Sequence, residues 1–164
     1  DKNADTSPTF APSGDKIAYI RMPDSNIPFT VGELWIMDGE GNNPVLLGKA
    51  DAGHGYEPTW SPDGERVAFV VRENRHDRVA DQQAARLVSN VYIINVNDRE
   101  VSAATQFEGA LIETPTWSSD GEFLAFSATT EDGADVWAFE VKGQKLHRVT
   151  HGANAQSPTW LSDK

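Results

Sequence analysis

The stretch "EPTWSPDGERVAFV" at residues 57–70 has near-copies at 7–20, "SPTFAPSGDKIAYI", and at 114–127, "TPTWSSDGEFLAFS". A fourth start, "SPTWLSDK", occupies residues 157–164. Repetition at such a period restricts a chain to units that stack on one another, because one short unit cannot bury its own faces. Pro8, Pro58, Pro115 and Pro158 mark a common register, with spacings of 50, 57 and 43 residues.

Within each unit an extended stretch, a tight turn and an apolar run such as Arg66-Val67-Ala68-Phe69-Val70 predict two strands. Aromatic-rich runs follow at 33–37, 90–96 and 135–139, and shorter apolar runs at 45–47, 101–105 and 146–150. Four strands at this period predict an all-β chain built of β-propeller blades, each a four-stranded antiparallel sheet. Blade 1 spans about 7–50, blade 2 about 57–107 and blade 3 about 114–150, with the start of a fourth at 157–164. The expected architecture is a partial propeller, or half of a six-bladed ring.

The turn explains its own composition. The ring of Pro62 presets φ for a turn, the side chain of Asp63 can cap it, and Gly64 suits the left-handed position from which the second strand starts. Pro58 lacks an N–H and belongs on an edge strand, the place of a blade's innermost strand. Phe10, Trp60, Trp117 and Trp160 recur at one site, where a large side chain is predicted to pack between neighbouring blades.

The element "SPTWSPDG", an apolar-Ala-Phe strand and a Trp-bearing strand together resemble the TolB-type, WD40-like β-propeller repeat, over nearly the whole chain. Ser13 departs from the Asp found at Asp63, Asp120 and Asp163, and Lys164 stands at the fourth glycine position. The resemblance implies a non-enzymatic scaffold for protein–protein interaction in the periplasm or another extracytoplasmic compartment of a bacterium. Similar "WSPDG" repeats occur in the propellers of prolyl-oligopeptidase-like serine peptidases. The alternative is therefore an N-terminal propeller portion that gates a hydrolase domain lying outside this chain.

Composition narrows the partners. The 164 residues carry 25 acidic against 14 basic side chains, a net charge of -11 that repels phosphate backbones and anionic lipid surfaces, so nucleic acid is not an expected partner. No apolar run is long enough to span a membrane. The first residues, "DKNADTSPTF", lack the basic and apolar regions of a signal peptide, which is expected to be absent or already removed. Without cysteine the chain has neither disulfides nor thiolate metal sites.

The long connections all fall on one face of the predicted blades. Residues 21–32 and 72–89 join the second strand to the third in blades 1 and 2, whereas the first-to-second turns are tight. The 72–89 insertion carries Arg72, Arg75, Arg78 and Arg86 beside Glu73, Asp77 and Asp81, and 77–87 is expected to form a short helix. These arginines, with His54, Glu57, Glu113 and His151 near the predicted channel mouth, form the candidate interaction surface.

His54, His76, His147 and His151 lack metal-ligand spacing, and "DGEGNN" at 38–43 departs from a calcium loop at its sixth position, so no metal or cofactor is expected. A lyase-type or carbohydrate site drawn from the histidines is a third, minor reading. No nucleophile elbow, P-loop or dinucleotide glycine pattern occurs, and no catalytic residue is assigned. Three blades leave two unmatched flanks, so the chain is expected to join further blades or to pair into a homodimeric six-bladed ring.

Overall fold

In a computed structural model that describes residues 3–51 and 57–161, the repeated turn closes around its glycine. Gly14, Gly64 and Gly121 lie at φ +76°, +72° and +71°, a conformation that strains any residue with a Cβ. Their amides donate to the carbonyls of Ala11, Ser61 and Ser118 at 2.8, 2.9 and 3.0 Å. Blades 2 and 3 add a side-chain closure. Ser61 Oγ accepts the amide of Arg66 at 3.0 Å and Ser118 Oγ that of Phe123 at 2.9 Å. Each serine also hydrogen-bonds the aspartate two residues on, Asp63 or Asp120. Blade 1 has Ala11 and Ser13 at those two positions, so the pair is lost there as a unit.

Each turn joins the first two strands of a four-stranded antiparallel sheet whose order follows the chain. Blade 1 is β1 (Asn3–Phe10), β2 (Lys16–Pro23), β3 (Val31–Asp38) and β4 (Val45–Asp51). Blade 2 is β5 (Thr59–Trp60), β6 (Arg66–Arg72), β7 (Ser89–Asn95) and β8 (Val101–Ala103). Blade 3 is β9 (Leu111–Trp117), β10 (Phe123–Thr130), β11 (Gly133–Glu140) and β12 (Lys145–Arg148). The first strands converge, β1 meeting β5 and β5 meeting β9, as the innermost strands of a propeller do.

The prolines mark more than an edge. Thr116 pairs with Ala125 and Glu113 with Ser127, so Thr114 and Pro115 together oppose the single residue Phe126. In blade 1, Ser7 and Pro8 oppose Tyr19 in the same way. The residue before the proline takes a left-handed φ at Ser7 (+52°), Thr114 (+51°) and Ser157 (+54°), uncommon for residues with a side chain. The extra residue of this bulge shifts the alternation of side chains by one. Ile112 and Trp117, five apart, consequently face the same neighbouring blade, and both are buried in one cluster with Ala68, Val70 and Val91 of blade 2.

Strand β6 shows how the sheets share their cores. Val67, Phe69 and Val71 pack on Ala18, Ile20 and Leu34 of blade 1, whereas Ala68 and Val70 pack toward blade 3. Both faces are buried, which is why the run "RVAFVVR" lacks a polar alternate. The repeated tryptophans sit in these seams and are anchored by their N–H groups. Trp60 Nε1 donates to the carbonyl of Thr9 at 3.0 Å, Trp117 to that of Thr59 at 3.1 Å, and Trp160 to that of Thr116 at 3.0 Å. Phe10 stands at the same site without a donor and is 60% exposed.

The two outer flanks left unmatched by three blades differ from each other. Arg21 occupies the position held by Val71 and Ala128 in the other blades. Its guanidinium forms a two-point pair with Asp5 at 2.7 and 2.8 Å and lies 4.6 Å from the ring centroid of Trp35 and 5.5 Å from that of Tyr19, which is only 2% exposed. The flank of blade 1 is thus sealed by charge over aromatic rings. On blade 3 the fourth repeat already occupies the inner seat. Trp160 leans on Phe123, beside an open, largely apolar cleft of about 560 Å³ that Ala138 and Val149 also line.

The glycine turns stack between blades, and a Cβ on Gly121 would stand 3.4 Å from Pro62 Cδ of the turn before it. Gly121→Val combines that contact with a forbidden φ. It should therefore lower unfolding stability by clearly more than the roughly 1 kcal/mol of an ordinary glycine replacement. Urea denaturation measures this, and an unshifted midpoint would contradict the turn.

Candidate functional site

The elaborated face is built on Arg72, the last residue of β6. Its side chain is wholly buried, held in an ion pair with Asp81 at 2.9 Å. Nη1 also donates to the carbonyl of Phe29 at 2.7 Å, Nη2 to that of Asp77 at 3.0 Å, and Nε to Asn74 Oδ1 at 3.3 Å. Phe29 belongs to the blade 1 insertion, and its amide in turn donates to the carbonyl of Asp81 at 3.2 Å. One guanidinium therefore ties two insertions from neighbouring blades into a single surface. Arg72 cannot itself be presented to a partner, a correction to its place among the interacting arginines.

The expected helix over 77–87 is also replaced. The carbonyl of Asp77 is shared between the amide of Asp81 and Arg72, and the Asp77 carboxylate accepts the amides of Val79 at 2.9 Å and Ala80 at 3.3 Å. These local bonds compete with a continuing helix. Only a 3-10 turn, Ala84–Arg86, remains. Asn74 closes the base of the loop by donating to the carbonyl of Arg86 at 2.7 Å and accepting the amide of Val88 at 3.1 Å.

Arg75, Arg78 and Arg86 are exposed on this insertion. Glu57 is exposed too, but it lines a different cleft, of about 330 Å³ along the inner strands, with Thr114, Pro115 and Pro158. Glu113 lies half-buried on β9, and His151 is exposed just after β12. His54 lies outside the described residues. The predicted residues thus fall in four places, the insertion, the inner cleft, strand β9 and the tail of blade 3. Among the described residues no three His, Cys, Asp or Glu side chains are grouped to hold a metal ion. The "DGEGNN" turn uses Asp38 internally, its carboxylate accepting the amides of Glu40 and Asn42 and the side chain of Asn43.

A second set of residues shapes the same face and was not singled out in the sequence. Asp135, at the start of the third strand of blade 3, is 2% exposed. It pairs with Arg148 and accepts Thr150 Oγ1 at 2.7 Å and the amides of Gly152 and Ala153 at 3.1 and 3.3 Å. Blade 2 builds the clasp with a neutral residue: Asn90 Oδ1 accepts Thr105 Oγ1 and the amide of Phe107, both at 2.7 Å. In blades 2 and 3 the threonine hydroxyl accepts the next amide of the third strand, Val91 or Val136, at 2.9 Å. The signal is a spacing, with Asn90 to Thr105 and Asp135 to Thr150 both 15 residues apart.

A family model described as the TolB beta propeller domain matches residues 15–164. The chain belongs to the TolB β-propeller domain family. It is 22% identical over 135 residues to the Tol-Pal system protein TolB of Ruthia magnifica, covering 82% of this chain and 29% of that protein. With the uncharacterized peptidase YuxL of Bacillus subtilis it shares 26% identity over 160 residues, 95% of this chain and 21% of the peptidase. The crystal structure of TolB from Acinetobacter baumannii superposes with a TM-score of 0.65 at 18% identity, covering 91% of this chain and 33% of that one. The chain therefore spans about a third or less of the length of these TolB-type and peptidase relatives.

Two outcomes follow for this TolB-family face. Arg72→Met removes the ion pair of Asp81 and the guanidinium that links the Phe29 and Asp77 carbonyls, and should cost about 3 kcal/mol in chemical denaturation, with Arg72→Lys recovering only part because an ammonium cannot reproduce the fork. Arg148, then Thr150, hold the Asp135 carboxyl well below its ordinary value of 3.8. A depressed folded value stabilises the fold above the unfolded value and loses that contribution as pH falls toward the folded one. Asp135→Asn, which copies Asn90, should therefore melt lower than wild type at pH 7 and show a shallower fall in Tm below about pH 4. Parallel acid limbs would refute the clasp.

Proposed function

We propose that the chain is a non-enzymatic β-propeller scaffold that binds another protein through the face carrying its long insertions, in an extracytoplasmic compartment as in TolB-type systems. The observation that carries this reading is the Arg72 hub. It buries a charge to hold two insertions together, where two separate solvated loops would need no such link. A surface ordered in advance loses less conformational entropy on association. Loop faces on rigid sheets are also where binding residues concentrate.

The similarity to the uncharacterized peptidase YuxL over 95% of the chain supports a second reading, a propeller portion that controls access to a hydrolase domain. Its partner would then be part of the same polypeptide. The homodimeric ring has less support. A second copy would need to place its Phe10 strand where Trp160 already bonds Thr116, and would bring the Arg21–Asp5 seal into an apolar seam.

Site-specific photo-cross-linking separates these readings. A cross-linker at Val79, on the insertion face, should give protein adducts in the host cell, and one at Asp98, on the opposite turn, should not. Equal adducts from both positions, or adducts from Asp98 alone, would sink the scaffold reading of this face. Purified chain should show no peptidase turnover, and turnover abolished by His151→Ala would replace the scaffold with an enzyme.

A further inference from the structure

Half of the chain's eight arginines lie in the 18 residues 72–89, and this segment has no lysine. The local acids are engaged within the fold. Asp81 pairs with Arg72, Asp77 caps backbone amides, and Glu73 accepts Tyr92 Oη at 2.9 Å. Among the described residues Arg75, Arg78 and Arg86 have no ion-pair partner, although Arg75 is steadied by donating Nε to the carbonyl of Arg72 at 2.8 Å. The joined insertions also leave Val79 48% and Ile27 41% exposed. The end of the same insertion supplies Arg86, Leu87 and Val88 to a groove of about 370 Å³, with Leu111 and Glu131 of blade 3 also lining it.

Arginine with exposed aliphatic side chains is the composition of a protein interface, and the guanidinium fork matches a carboxylate at two points. We infer that this surface docks a short extended protein segment in which carboxylates alternate with large apolar side chains. The apolar side chains enter the groove, a carboxylate meets Arg86, and a backbone N–H or basic group meets Glu131. A long polyanion is disfavoured because it feels the whole net charge of -11. A short segment feels mainly charges within a Debye length of about 8 Å. The inference rests on the protein-binding reading above and names the chemistry of its partner.

The test is fluorescence anisotropy with a labelled peptide whose core alternates leucine and glutamate, titrated with the whole chain. Saturable binding is expected, weakened at least about tenfold by Arg78→Glu combined with Arg86→Glu and by raised salt. Replacing the peptide's glutamates with lysine, or its leucines with serine, should weaken binding to a similar extent. Thermal melts confirm that the double variant is folded, and Arg78→Lys with Arg86→Lys, which keeps charge without the fork, should fall between. Binding unchanged by the charge reversal, or equal for the lysine peptide, would overturn the inference. So would equally tight binding of phosphatidylglycerol vesicles or single-stranded DNA. A peptide that fails to bind rejects the acidic partner alone, since cross-linking at Val79 tests the protein-binding face without reference to charge.

Discussion

The hydrogen bond from each repeated tryptophan to a threonine carbonyl one blade upstream is the contact on which the other seam contacts depend. An indole buries a large apolar surface but brings an N–H that must find an acceptor once water is excluded. Here the acceptor is the main chain of the neighbouring inner strand, so the ring can sit at only one height and one angle in the seam. Trp60, Trp117 and Trp160 repeat this arrangement at 3.0–3.1 Å. With that height set, the turns of successive blades stack, and Arg66 comes to lie 4.9 Å from the centroid of the Trp117 ring. Apolar packing alone supplies area without this restriction, since hydrophobic burial has no preferred direction.

The bulge before Trp117 makes the anchor compatible with the upper half of β9. Without an extra residue, Ile112 and Trp117 would point to opposite sides of β9, and one of them would leave the seam. Placing Ser7, Thr114 and Ser157 at positive φ is locally unfavourable. In β9 that cost is offset by burying both Ile112 and Trp117 against the same neighbouring blade. Pro8 and Pro115 suit the bulge because the position needs no ladder donor.

This also separates what the sequence made legible from what it hid. The turn "SPDG", the strand runs and the aromatic period report local conformation and burial, and both are properties of residue type at a given spacing. The bulge is a matter of register between two strands, and Thr114-Pro115 gives no direct reading of what lies opposite it. Arg72 was misread for a similar reason. An arginine in an insertion is ordinarily solvated, and its burial depends on Asp81 and on Phe29, whose carbonyl comes from another blade 43 positions away. The helix expected over 77–87 failed with it, because Asp77 serves that hub and caps its own turn. The Asn90–Thr105 and Asp135–Thr150 clasps were legible as an equal spacing, but Asn and Asp differ in charge and blade 1 places Glu33 opposite Lys49 instead.

The charged substitutions in the repeat are placed where a blade meets something other than an identical neighbour. Within the two seams the positions facing the preceding blade are apolar: Val67, Phe69 and Val71, then Leu124, Phe126 and Ala128. Arg21 breaks this series only in blade 1, on the flank that has no preceding blade among the described residues, and Asp5 stands opposite it in the strand register. Arg72 falls on the other face's set in β6, after Ala68 and Val70, as the last residue of the strand before the insertion. Both arginines satisfy their charge within the chain, the first over aromatic rings and the second against Asp81 and main-chain carbonyls. Neither needs a partner to be stable. Among the described residues Arg75, Arg78 and Arg86 lack such ion pairs, and that difference in satisfaction, more than the number of arginines, separates the charges that build this fold from those it presents.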